Sequence, residues 1–130
     1  EEHDLFSYIT LIEGSSVADD VVEQVKALVK PGEKVLVILD SNHTHAHVLE
    51  ELRAYSPLVT PGSYLVVYDT LIEDMPEDLQ ASDRPWGVGN NPKTAVREFL
   101  QGNDRFEVDQ RLVNKLLITV APEGYLRCLG

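Results

Sequence analysis

The sequence predicts an α/β domain, a mostly parallel sheet flanked by helices with an antiparallel edge at the C-terminus. Three observations carry this. A helix, a Pro-Gly stop, an aliphatic strand and a terminal aspartate occur in that order twice, as LVKPGEKVLVILD and LVTPGSYLVVYD. The strand at residues 35–39 is apolar throughout, the pattern of a parallel strand covered by helices on both faces. Strand-like and helical segments alternate, which favours right-handed crossovers. Two copies are too few for a repeat array, so these are successive β-α units.

Each element follows from local chemistry. YITLIEG, residues 8–14, reads as a short strand ending in Glu13 and Gly14. Val21, Val22, Val25, Leu28 and Val29 then recur at helical spacing. Ser15 or Ser16 is placed to cap that helix, Asp19 and Asp20 suit its first turn, and Pro31-Gly32 stops it. Val48, Leu49, Leu52 and Tyr55 form the apolar face of the second helix. Residues 71–91 form a long acidic loop of the kind that serves as a lid. Asn91 caps the next helix with Pro92 at its first position, and Ala95, Val96, Phe99 and Leu100 form its apolar face. RFEVDQ and KLLITVAPEGYLRCL read as strand-like runs that pair antiparallel.

Composition limits the partners. A chain of 130 residues suits one domain, and 43% apolar with 25% charged residues is ordinary for a soluble protein. A net charge of −11 argues against nucleic acid and anionic membrane, which need clustered Lys and Arg. No apolar run approaches the ~20 residues of a membrane span. The start, EEHDLF, is acidic and polar, unlike a secretory signal, and lacks an initiator Met. Cys128 stands alone, so no internal disulfide forms, and a cytoplasmic location is expected.

The chemistry gathers where strands end. Asp40 and Asp69 close two apolar strands on the same edge of the sheet, the edge at which α/β folds bind ligands. Neighbouring strands lie ~4.8 Å apart, so two carboxylates there repel unless a cation separates them. Mg2+ with retained waters fits such an oxygen-rich pair; two unlinked aspartates that start loops are the alternative. His43 is placed to take a proton from a hydroxyl held there, or simply to cap a helix. His43 and His47 stand four apart but lack a third zinc ligand, and His45 is expected to face solvent. WGVGNNP carries neither the P-loop Lys nor a full dinucleotide fingerprint and reads as a lid hinge. It offers Trp86 and Asn90 to a substrate, with plain packing of Trp86 as the alternative.

ITLIEGSS, VLVILDSNHTHAHVLEELRAYSPLVTPGSYLVVYDT and WGVGNNPKTAVREFL together resemble the cephalosporin hydroxylase-like family, also described as rhamnosyl O-methyltransferase-like. The resemblance covers nearly the whole chain. It implies the Rossmann-like fold of class I S-adenosylmethionine-dependent methyltransferases. It implies Mg2+ on Asp40 and Asp69 with His43 as the base, and S-adenosylmethionine flanked at its adenine by Gly14, Ser15 and Ser16. Relatives show Glu-Asp or Asp-Asn at that strand end, where Tyr68-Asp69-Thr70 of this chain offers one carboxylate; water, Thr70, or Glu73 and Asp74 folding back would complete the shell. The family's glycine-rich donor loop would precede this sequence, which matches from just before the third strand onward. The N-terminal strands of the parent fold would then be missing. Residues 9–13 would expose an edge that re-pairs, swaps between chains or forms a homo-oligomer.

The expectation is therefore the C-terminal part of a metal-dependent O-methyltransferase acting on a sugar or small-metabolite hydroxyl, little active alone. Two other readings stand beside it. One is a non-haem iron hydroxylase using His43, His47 and Asp40. The other is a non-catalytic α/β binding or dimerisation module.

Overall fold

A computed structural model gives the structure of residues 4–80 and 83–130. Four strands, β1 (Val37–Leu39), β2 (Tyr64–Val67), β3 (Phe106–Val108) and β4 (Tyr125–Cys128), form one sheet in the order β1-β2-β4-β3. β1 and β2 are parallel, with Leu39 opposite Val67. β4 runs antiparallel between β2 and β3. Helices α1 (Asp19–Leu28), α2 (His45–Tyr55), α3 (Pro92–Gln101) and α4 (Gln110–Leu116) complete the chain. This is the predicted α/β class with its antiparallel C-terminal edge.

The core lies between the sheet and the α2–α3 pair. Val48, Leu49, Leu52 and Tyr55 of α2 meet Ala95, Val96 and Phe99 of α3 over Leu39, Leu65, Val67 and Leu126. Each fully buried leucine contributes about 1.5–3 kcal/mol of transfer free energy. Both Pro-Gly stops are turns in which the glycine is left-handed, φ 85° at Gly32 and 76° at Gly62. The closing bonds are Glu33 N–H to Lys30 O and Ser63 N–H to Thr60 O, at 3.2 and 2.9 Å. Asn91 caps α3 as expected, accepting from the N–H groups of Lys93 and Thr94 while Thr94 Oγ1 accepts from Asn91 N–H.

Several expectations are corrected. Residues 9–13 pair with no strand among the described residues; they follow a short 3-10 turn, Phe6–Tyr8, and run without assigned strand structure. They neither re-pair within the sheet nor form its exposed edge. That edge is β1, where Ile38 and, just before the strand, Leu36 are 54% and 52% exposed, so β1 is covered on one face only. Neither serine caps α1, whose N-cap is Ala18, and Leu28 of its stripe is 49% exposed. The start of the KLL run is helical instead of extended. Asp109 accepts from Arg111 and Leu112 N–H and starts α4, so the last strand is confined to β4. No helix among the described residues is long and apolar enough to cross a membrane.

Two contacts fix β4 against the rest. A Cβ on Gly124 would sit 2.1 Å from Val67 O, a backbone atom that cannot move aside. Buried Lys93 is compensated by Asp74 Oδ2 at 2.5 Å and Glu123 Oε1 at 3.1 Å, and Arg97 also reaches Glu123. Burial pushes the Glu123 carboxyl up, but the hydrogen bonds and charges of Arg97 and Lys93 outweigh it and hold it below its ordinary value.

Gly124→Ala should therefore destabilise the fold by about 1–3 kcal/mol in urea unfolding. An acid held down in the fold stabilises it above the unfolded-state value, and that contribution is lost as pH falls through the lowered one. Glu123→Gln should thus be less stable at neutral pH and should flatten the loss of stability on acidification below about pH 4, measured by thermal melts across pH.

Candidate active site

β1 and β2 end side by side, and each hands its next residue or two to the site. Asp40 follows β1 directly. The β2 side continues through Tyr68, whose N–H donates to Leu39 O at 3.0 Å, to Asp69. Asp69 adopts a left-handed conformation, φ 56° and ψ 23°, which aspartate tolerates better than most residues. His43 lies in the loop between β1 and α2. Its Nε2 is 3.1 Å from Asp69 Oδ2 and 3.6 Å from Asp40 Oδ1. One ligand atom from each of the three residues lies within 4.8 Å of the others, the only such grouping among the described residues.

These groups are uncommitted. Neither aspartate side chain accepts a hydrogen bond among the described residues, and His43 Nε2 is buried without one. The nitrogen is near both carboxylates, yet the ring direction makes a proper hydrogen bond to neither. A buried nitrogen in that state is open to a cation or to a substrate proton. Trp86 covers the imidazole edge-on, with ring centroids 4.9 Å apart and planes at 70°. Arg84 lies over the indole at 5.4 Å.

The acids expected to fold back are occupied. Thr70 is fully buried and donates to Pro122 O at 2.6 Å. Glu73 accepts from Gly89 N–H and from the Asn91 side chain, and Asp74 holds Lys93. Asn90 is also engaged in the fold. Its Oδ1 accepts from His45 N–H at 3.0 Å, serving the uncapped start of α2, and its Nδ2 donates to Pro85 O. His45 does not face solvent: its ring reaches Thr94 Oγ1 at 2.8 Å and Glu98 Oε2 at 3.0 Å.

His47 belongs to a second cluster, so His43 and His47 do not form a paired metal site. His47 Nε2 lies 3.0 Å from Ser16 Oγ and 3.2 Å from Ser41 Oγ. Both hydroxyls donate to Glu51 Oε1, at 2.5 and 2.8 Å. Glu51 is 2% exposed, and its Oε2 has no hydrogen-bond partner among the described residues. Burial, then the Glu51 charge, hold the Tyr55 phenol above its ordinary value, and that hydroxyl donates to Ser16 O. Ser16, Asp40, Ser41, Glu51 and Tyr55 line an open groove of about 380 Å³ along β1. Of the three residues expected beside a methyl donor, Ser16 lines this groove. Ser15 is exposed, and the missing Cβ of Gly14 makes room for Val21 Cγ2, 2.6 Å from where it would lie. Glu51 was missed in the sequence, although it falls at helical spacing between Val48 and Tyr55 on the buried face.

The chain matches the family described as rhamnosyl O-methyltransferase/CmcI over residues 1–129. It is 35% identical over 122 residues to proteins named rhamnosyl O-methyltransferase from Mycobacterium tuberculosis and Mycobacterium bovis, covering 91% of this chain and 46% of theirs. The Mycobacterium leprae protein of the same name is 41% identical over 70 residues, covering 52% of this chain and 30% of its own. The chain thus spans less than half the length of these relatives. No solved structure matches it significantly. With a match that runs almost from end to end, the chain belongs to the rhamnosyl O-methyltransferase/CmcI family.

Proposed function

We propose that this chain carries the hydroxyl-activating part of a metal-dependent O-methyltransferase that uses S-adenosylmethionine. The observation that carries this is the convergence of Asp40, Asp69 and His43 at two neighbouring strand ends, with a buried imidazole nitrogen left unbonded. The relatives' name supports a sugar hydroxyl as the acceptor.

Two carboxylates without hydrogen-bond partners suit a hard divalent cation such as Mg2+, and Asp40 and Asp69 would hold it. When bound, the cation neutralises the acids and makes a neighbouring hydroxyl more acidic. His43 then serves as the base. Its Nε2 takes the hydroxyl proton, a role worth about 10²–10⁴ in rate. Trp86 fixes the ring and shields it from water. The groove along β1 suits the methyl donor, because the unpartnered Glu51 oxygen favours the hydrogen-bond donors of an adenosyl group. S-adenosylmethionine supplies an electrophilic methyl group when bound. Asp40 lines the groove and also belongs to the acidic pair, so donor and acceptor would meet at this residue.

Mg2+ at about 100 times its dissociation constant should stabilise the protein by about 2.7 kcal/mol, read as a rise in melting temperature. Asp69→Asn should abolish that rise; a wild-type melt indifferent to Mg2+ and Mn2+ would overturn the metal assignment. His43→Ala should keep the cation response and lose about 10²–10⁴ of methyl transfer. Loss of the cation response instead would make His43 a ligand and remove it as the base.

A further inference from the structure

A pocket of about 410 Å³ lies between α4 and the sheet, away from the strand ends that carry Asp40 and Asp69. Its floor is a row across three strands: Tyr64, Arg127 and Glu107 stand opposite one another in the register of β2, β4 and β3. Their neighbours Leu65, Leu126 and Phe106 belong to the core, so the row lies on the other face of the sheet. Tyr64 opens β2, so the floor is roughly 10 Å along the strand from the end that leads to Asp69. The wall is α4, whose Arg111 and Lys115 stand four apart and share one helix face with the pocket.

The acids of the pocket are engaged. Glu107 accepts from Arg127 Nη2 at 2.8 Å. Asp109 Oδ1 accepts from Arg111 and Leu112 N–H, and its Oδ2 accepts from the Tyr64 hydroxyl at 2.7 Å, which pins the ring. The side chains of Arg111 and Lys115 make no ion pair or hydrogen bond among the described residues. The chain holds 22 acids against 11 Lys and Arg, yet here Arg111, Lys115 and Arg127 outnumber Glu107 and Asp109. A guanidinium and an ammonium left free on one wall, with a second guanidinium in the floor, suit a doubly charged oxyanion.

We infer that this pocket is a second binding site, separate from the Asp40–His43–Asp69 cluster, and that it takes a small organic phosphate monoester. The phosphate pairs with Arg111 and Lys115 and reaches Arg127. The organic part rests on the Tyr64 ring and on Val108 and Leu112, in space that a bare phosphate would leave empty. An occupant bridges α4 to β4. Binding requires neither a cation nor a methyl donor, so it stands or falls apart from the proposed methyl transfer.

Amide NMR of the chain without cation or methyl donor locates an occupant residue by residue. Phenyl phosphate at millimolar concentration should shift the signals of Arg111, Leu112, Lys115 and Arg127 saturably and leave those of Asp40, His43 and Asp69 in place. Inorganic phosphate should bind at the same residues about tenfold more weakly, for want of apolar contact, and phenol should not bind. Arg111→Ala combined with Lys115→Ala, both at exposed positions, should weaken phenyl phosphate by about tenfold or more. Lys26→Ala on α1 also removes a positive charge and should leave the affinity unchanged. Glu107→Gln releases Arg127 and should tighten binding. No saturable shift, shifts confined to other residues, inorganic phosphate binding as tightly as the ester, or an affinity unmoved by these pocket variants would overturn the inference. None of those results bears on the cation response of Asp40 and Asp69.

Discussion

The parallel pairing of β1 with β2 is the constraint on which the rest depends. With Leu39 opposite Val67, the residues that follow emerge on the same edge, and Asp40 and Asp69 face a common space. A slip of one residue would turn Leu39 and Val67 out of the core and swing the acids to the wrong face. Burial of Leu39, Leu65 and Val67 against α2 and α3 therefore holds the register and, through it, the site. Function here is secured by hydrophobic packing several residues away from the chemistry.

Around that pairing the acids divide into two groups. Glu73, Asp74, Glu98 and Glu123 each face a fixed donor or cation and tie the lid, α3 and β4 together. Asp40 and Asp69 face only His43 Nε2, at 3.6 and 3.1 Å, and accept no hydrogen bond among the described residues, while Glu51 has one oxygen without a hydrogen-bond partner there. An acid bound to structural partners has its negative charge already answered. One held in place with no partner keeps an unspent attraction for a cation or a donor group. The lid follows the same division: Asn90 and Asn91 anchor it, whereas Trp86 packs edge-on against His43 and carries Arg84 over its indole.

Much of this was legible in the residues. The Pro-Gly turns, the Asn91-Pro92 cap and the faces of α2 and α3 rest on local chemistry, and the structure contains all of them. The pairing of Asp40 with Asp69 followed from two strands of the same pattern ending in acid. What depended on distant contacts was not legible. Residues 9–13 have strand composition, yet pairing needs a neighbour and no strand among the described residues lies beside them. His45 sits at a helix start that reads as exposed, and only the approach of α3 brings Thr94 and Glu98 to its ring. Glu73 and Asp74 looked available until the fold supplied Asn91 and Lys93 as their partners. Asp109 carried a capping signal for α4, but the hydrophobicity of the following run masked it.

The open side of β1 has a consequence for handling the protein. Three residues of strand with a bared isoleucine form a seed for stacking one molecule onto the next. What opposes this is long-range repulsion between molecules that each carry eleven excess negative charges, and that repulsion vanishes near the isoelectric point of about 4.6. Colloidal behaviour should therefore turn on buffer acidity and ionic strength well before the core itself begins to melt.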